Sequence, residues 1–152
     1  MDAFDADVLI YAAAPDHALG APVRALFSPE APSETGVLAG IGSVLLLPEL
    51  LTKPLRDDAH DELLALSLLL SRIALLPTDQ ATAELATALG ASYGLGAADA
   101  VHLATAVGAG AERFITNNRS DSGAARSRCT ALIWKPLLET GSAPSVETIR
   151  QW

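Results

Sequence analysis

Cysteine is almost missing: Cys129 stands alone in 152 residues. That excludes an internal disulfide and a zinc site built on several cysteines, and it fits a reducing compartment, the cytoplasm. Aromatic side chains make up only 5%, which favours helices packed on a small sheet over a β-sandwich. Positive charge is scarce as well. Ten Lys and Arg stand against 18 Asp and Glu, a formal net charge of −8. Passive binding of a polyanion needs a basic stripe, so this balance speaks against it. Chemistry on a polyanion stays open where carboxylates hold divalent cations, because the formal count leaves out the cation's charge. Apolar runs such as Val44 to Leu47 are far too short to span a bilayer, so no membrane association is expected. Asp2, Asp5 and Asp7 stand where a secretory leader would carry basic residues.

What the chain does have is apolar mass. Hydrophobic residues reach 50% and charged ones 18%, enough for one domain with a buried core. The β-branched and aromatic content of Phe4 to Ala14 reads as a first, buried strand, ended by Pro15. Asp16 then suits the N-cap of a helix through Phe27. The Pro-, Ser- and Gly-rich stretch from Ser28 to Gly42 reads as a loop or a short strand. Pro48 and Glu49 fit the first turn of a helix ending near Lys53 and Pro54. Asp57 or Asp58 opens another, running to about Arg72. Ile73 to Pro77 is a strand, and Thr78 or Asp79 caps a helix closed by Gly90 or Gly94. Ala97 to Gly108 is an Ala-rich helix, followed by strands over Ala111 to Thr116 and Ala131 to Trp134. Alternating strands and helices predict an α/β fold with a mainly parallel sheet. The expected domain covers residues 1–140, with a tail over 141–152.

Three acids stand out by their surroundings. Asp5 begins a hydrophobic run, Glu49 lies among Leu45, Leu46, Leu47, Leu50 and Leu51, and Asp99 opens a run of Ala, Val and Leu. An acid in an apolar setting is costly unless paired or bound to a cation. Hard oxygen donors suit Mg²⁺ or Mn²⁺. The ordinary alternative for Glu49 and Asp99 is a helix cap or a favourable partner for the helix dipole.

The order of four segments adds to this. Asp5-Ala6-Asp7-Val8-Leu9-Ile10-Tyr11-Ala12, Ser43 through Pro48-Glu49-Leu50-Leu51, Ala98-Asp99-Ala100-Val101-His102-Leu103-Ala104-Thr105-Ala106 and Phe114-Ile115-Thr116-Asn117-Asn118-Arg119-Ser120-Asp121 occur in sequence. Together they resemble the four motifs of PIN-domain proteins, in the family's order; the Asp99 segment is the most specific. The resemblance implies a three-layer α/β/α fold and a metal site of Asp5, Glu49 and Asp99 for Mg²⁺ or Mn²⁺. Many relatives carry Asp where this chain has Asn118. A variant of the fourth motif is matched here by Thr116, Asn118 and Asp121, so Asp121 is expected to be the fourth acid, with Asn118 offering a neutral oxygen and a second metal held more weakly. The alternative is that Asn118 and Asp121 only shape a turn.

Supporting roles are expected for Asp7, Ser43, Thr116 and Arg119. On a strand, Asp7 would share a face with Asp5; Ser43 and Thr116 offer hydroxyls for carboxylates or phosphate, or for backbone at element ends. Arg119, with Arg126 and Arg128, is the one local basic cluster and could hold phosphate, or equally form an ordinary solvated loop. His102, three residues after Asp99, reads as a packed, hydrogen-bonded histidine before a ligand. His17 and His60 read as surface residues. The size and motif set resemble the VapC-type toxins of bacterial toxin–antitoxin pairs, which implies an RNA substrate, a small VapB-type antitoxin and a homodimer. Two other readings stay open: a non-catalytic PIN-like binding or regulatory protein, and a metal-dependent phosphatase acting on small phosphate esters.

Overall fold

The computed structural model describes residues 1–27, 38–117, 130–134 and 146–151, the last two stretches by their backbone alone. The elements are β1 (Asp2–Phe4), α1 (Ala6–Ala13), α2 (Gly20–Leu26), β2 (Gly40–Ser43), α3 (Leu46–Arg56) and α4 (His60–Leu70). They continue with β3 (Ile73–Leu76), α5 (Gln80–Tyr93), α6 (Ala97–Gly108), β4 (Arg113–Thr116), β5 (Thr130–Trp134) and β6 (Val146–Gln151). The strands lie in the order β3-β2-β1-β4-β5-β6. The first four in that order are mutually parallel; β5 and β6 continue the sheet antiparallel. Residues 146–151, within the stretch read as a tail, pair with β5.

Side chains alternate across the strands and so build two cores. Phe4 and Ile115 pack with Val8, Leu9, Val23, Leu46, Leu50, Leu66 and Leu70, from α1 to α4. Their chain neighbours Ala3 and Phe114, with Ile41, pack against Ala86, Leu89, Leu103 and Ala104 of α5 and α6. Helices thus cover both faces, and the expected α/β/α layering is what the chain adopts. No helix of the described residues is long and apolar enough to cross a membrane.

The opening differs from the sequence reading. Only Asp2–Phe4 is strand, and Ala6–Ala13 is helix. Asp5 is extended at ψ 162° and its side chain accepts from the Ala6 amide, an N-cap geometry. Val8, Leu9 and Ala12 are the buried residues of α1, a helical spacing that an unbroken apolar run conceals. Asp7 is therefore in the first turn of a helix, not on a strand beside Asp5. Two further boundaries shift. Helix α2 begins at Gly20 after Leu19, not after Asp16, because residues 14–20 close as turns, with His17 N donating to Ala14 O and Gly20 N to His17 O. Helix α3 runs past Pro54 to Arg56; Pro54 is fully buried, and its packing outweighs the lost backbone hydrogen bond. Asp58, at φ 51°, lies between α3 and α4, whose N-cap is Ala59 and neither Asp57 nor Asp58. Asp79 caps α5, and Gly94 closes it in the left-handed region at φ 66°, both as the sequence indicates.

Candidate metal centre

Parallel strands end on one edge of a sheet, and in α/β folds ligands bind there. Here β1 delivers Asp5, β2 ends in Ser43 and β4 ends in Thr116. Helices α3 and α6 bring Glu49 and Asp99 in their first turns.

Asp5 is 3% exposed. One carboxylate oxygen accepts from the Ala6 amide at 2.8 Å and the other from the Thr116 hydroxyl at 2.6 Å. Each oxygen keeps a further acceptor position. Burial pushes this carboxyl above the usual range, against the opposing hydrogen bond from Thr116 and the pull of His102; Asp99 adds to the rise. Asp7, more exposed, is also raised, first by desolvation and then by the charges of Asp99 and Glu49. Asp99 therefore acts on both Asp5 and Asp7, and Glu49 acts on Asp7; like charges near one another favour a neutral form or a bound cation.

His102 is buried at 2% exposure. Its Nε2 meets the Glu49 carboxylate across 53 positions of sequence, joining α6 to α3. Its Nδ1 is buried with no hydrogen-bond partner among the described residues. The expectation of a packed, hydrogen-bonded histidine holds. Its partner could not be read from the sequence. The Ser43 hydroxyl accepts from the Leu45 amide and shares a hydrogen bond of 3.2 Å with Thr78, so it organises the start of α3. His60 is exposed, as expected, whereas His17 is half-buried and stacked on Tyr11.

Asp121, Asn118, Arg119, Arg126 and Arg128 lie outside the described residues. Among the described residues, no three His, Cys, Asp or Glu side chains stand in a ready-made metal-binding arrangement. The donor set nevertheless fits a hard divalent cation: it is rich in carboxylate oxygen and holds mutually repelling acids. Arg113 pairs with Asp2 at 2.7 Å, at the opposite ends of these strands. Tyr11, His17 and Asn117 also gather near the strand ends, a grouping the sequence reading missed because α1 was taken for a strand.

No curated protein and no solved structure matches the sequence. The family model of the PIN domain matches residues 3–122, the span from β1 through β4 that carries Asp5, Glu49 and Asp99. The chain belongs to the PIN domain family.

Proposed function

We propose that the chain is a Mg²⁺- or Mn²⁺-dependent endoribonuclease that hydrolyses RNA phosphodiester bonds. PIN domains are typically nucleases acting on nucleic acid, and they generally use divalent metal ions. The observation that carries the reading is the buried Asp5 carboxyl at the strand edge, with Asp99 acting on both Asp5 and Asp7 and Glu49 acting on Asp7.

Asp5, Glu49 and Asp99 would hold the metal, Asp121 would complete the set and Asn118 would add a neutral oxygen. Bound divalent cations supply an activated water and a charge that stabilises the leaving oxygen. Thr116 fixes the Asp5 carboxylate through its hydroxyl. His102 holds the Glu49 carboxylate and limits its rotation. Asp7 supplies further negative charge at the rim, and Arg119 would meet a phosphate.

We further propose a toxin of a toxin–antitoxin pair, cytoplasmic and homodimeric, restrained by a VapB-type antitoxin. Surface for such partners is at hand. Leu64 and Leu68 of α4 are each 60% exposed, and a cavity of about 490 Å³ lined by Ala12, Phe27, Leu68, Arg24 and Arg72 lies at the C-terminal end of α1. The non-catalytic reading has one observation in its favour, the engagement of Glu49 by His102.

Cleavage of a mixed RNA pool with Mg²⁺, Mn²⁺ or chelator, beside a small phosphate ester, separates the readings. The nuclease cuts RNA only with metal, leaves the ester intact and loses activity in Asp99→Asn. An Asp99→Asn protein that cuts at the wild-type rate sinks the mechanism. Ester turnover without RNA cleavage identifies a phosphatase, and no turnover of either substrate by the folded wild type favours the non-catalytic protein.

A further inference from the structure

Tyr11 and His17 form an arrangement that neither the carboxylates nor the core explains. Their rings are stacked, with centroids 4.2 Å apart and planes 3° from parallel. Both side chains are only partly buried, and neither ring belongs to either of the two core clusters. Tyr11 follows Asp7 by four residues on α1, so the two share a helix face. At its other end Tyr11 is tied to β4: the Asn117 side chain donates to the Tyr11 hydroxyl at 3.0 Å. Asn117 directly follows Thr116, which holds Asp5. The ring pair thus stands beside the edge where the carboxylates gather.

The pair is also held in place. His17 Nδ1 accepts from the Leu19 amide at 3.2 Å. Arg24 donates to the carbonyls of Ala12, Ala14 and Pro15, fastening the turn that carries His17. A Cβ on Gly20 would stand 2.2 Å from the Tyr11 carbonyl oxygen, so only glycine lets the two backbones approach this closely. Aromatic rings set by backbone contacts cost little further ordering when a flat ligand arrives.

We propose that the Tyr11–His17 pair is a stacking platform for a base of single-stranded RNA, placed beside the phosphate that the carboxylates handle. The proposal rests on the nuclease reading for its ligand and on the ring geometry for its location. A chain of net charge −8 draws little affinity from phosphate contacts. Stacking on an aromatic face is insensitive to that charge and tolerant of sequence. A base must be unstacked from its own strand to use such a face, which selects single strands over duplex. The phenylalanines lie inside: Phe4, Phe27 and Phe114 are all buried. Tyr11 and His17 are the described ring pair left near the edge.

The test is fluorescence anisotropy of a labelled, mixed-sequence oligoribonucleotide, the same strand in duplex, and an abasic strand of equal length. Binding is measured with Mg²⁺ in the cleavage-blocked Asp99→Asn background, and thermal melting checks that every variant is folded. Tyr11→Leu and His17→Leu should each weaken binding of the single strand by roughly 5- to 100-fold. They should leave the already weak abasic strand unchanged. Tyr11→Phe keeps the ring without the Asn117 hydrogen bond and should bind as the parent does. Equal binding of the single strand by the parent and both leucine variants overturns the platform. So does a parent that binds the abasic strand as tightly as the normal one. In the cleavage-competent chain the leucine variants should raise KM with little change in kcat. Metal-dependent cleavage with unchanged KM in both sinks the platform and leaves the nuclease standing. Ring-dependent binding by a wild type that never cleaves does the reverse.

Discussion

Asp5 keeps a raised pKa although both its oxygens accept hydrogen bonds, because burial outweighs the Ala6 and Thr116 donors and the attraction of His102. A raised carboxyl is held more firmly as the neutral acid in the folded chain than in the unfolded one. Its charge therefore costs stability at neutral pH. The cost fades as pH falls through the raised value towards 3.8, the ordinary value of Asp. Asp5→Asn keeps the N-cap acceptor and removes the charge. In chelator it should be more stable than wild type at neutral pH, with Tm higher by about 2–4 °C for each kcal/mol recovered. The gap should close as pH is lowered through that window. Urea unfolding of both proteins across pH checks this, and a variant less stable at neutral pH contradicts it. His102 makes the opposite prediction. Truncating it to alanine removes a buried ring and releases Glu49 from α6. Stability should fall by about 2–4 kcal/mol, read from the urea midpoint at constant slope.

At the scale of elements, α6 was legible at both ends. Ala, Leu and Val with an acid in the first turn determine it locally, and its bounds, Ala97–Gly108, are those the composition indicates. The cap of α5 was legible for the same reason, since Asp79 meets Thr82 only three residues away. Helix α1 was not. Val8, Leu9, Ile10 and Tyr11 suit a strand by propensity, and the helix wins through tertiary burial of Val8, Leu9 and Ala12 beneath α3 and α4. That error moved Asp7 off its true face and hid Tyr11 and His17. The end of α3 was missed because a buried Pro54 obeys packing rather than its local rule. The Glu49–His102 bond could not be read at all, since it depends on how α3 and α6 dock. Strand β2 depends on one glycine. A Cβ at Gly40 would lie 2.3 Å from the Asp2 carbonyl oxygen and 2.7 Å from the Phe4 ring. Gly40→Ala should part β1 from β2 and lower the urea midpoint far more than Gly108→Ala, whose added Cβ meets nothing within 4 Å. Equal effects would refute the close-approach argument.

Across the whole molecule, the parallel order β3-β2-β1-β4 puts the ends of β1, β2 and β4, at Asp5, Ser43 and Thr116, on one edge. Alternation of strand and helix made that architecture legible, and the motif order is what proposes Asp5, Glu49 and Asp99 as a set. Within the segment from Leu63 to Leu70, Leu66 and Leu70 are buried while Leu64 and Leu68 face outward. Net charge of −8 means that divalent cation should stabilise the fold through the acidic edge, by about 2.7 kcal/mol at a hundredfold excess over Kd. The most direct test of the central claim is calorimetric titration of Mn²⁺ into the wild type and into Asp5→Asn and Asp99→Asn at neutral pH. The account predicts saturable binding by the wild type that is lost or weakened at least tenfold in each variant, while both variants stay folded. Wild-type binding that survives both substitutions unchanged, or a wild type that takes up no Mn²⁺, would contradict a metal centre built on these carboxylates.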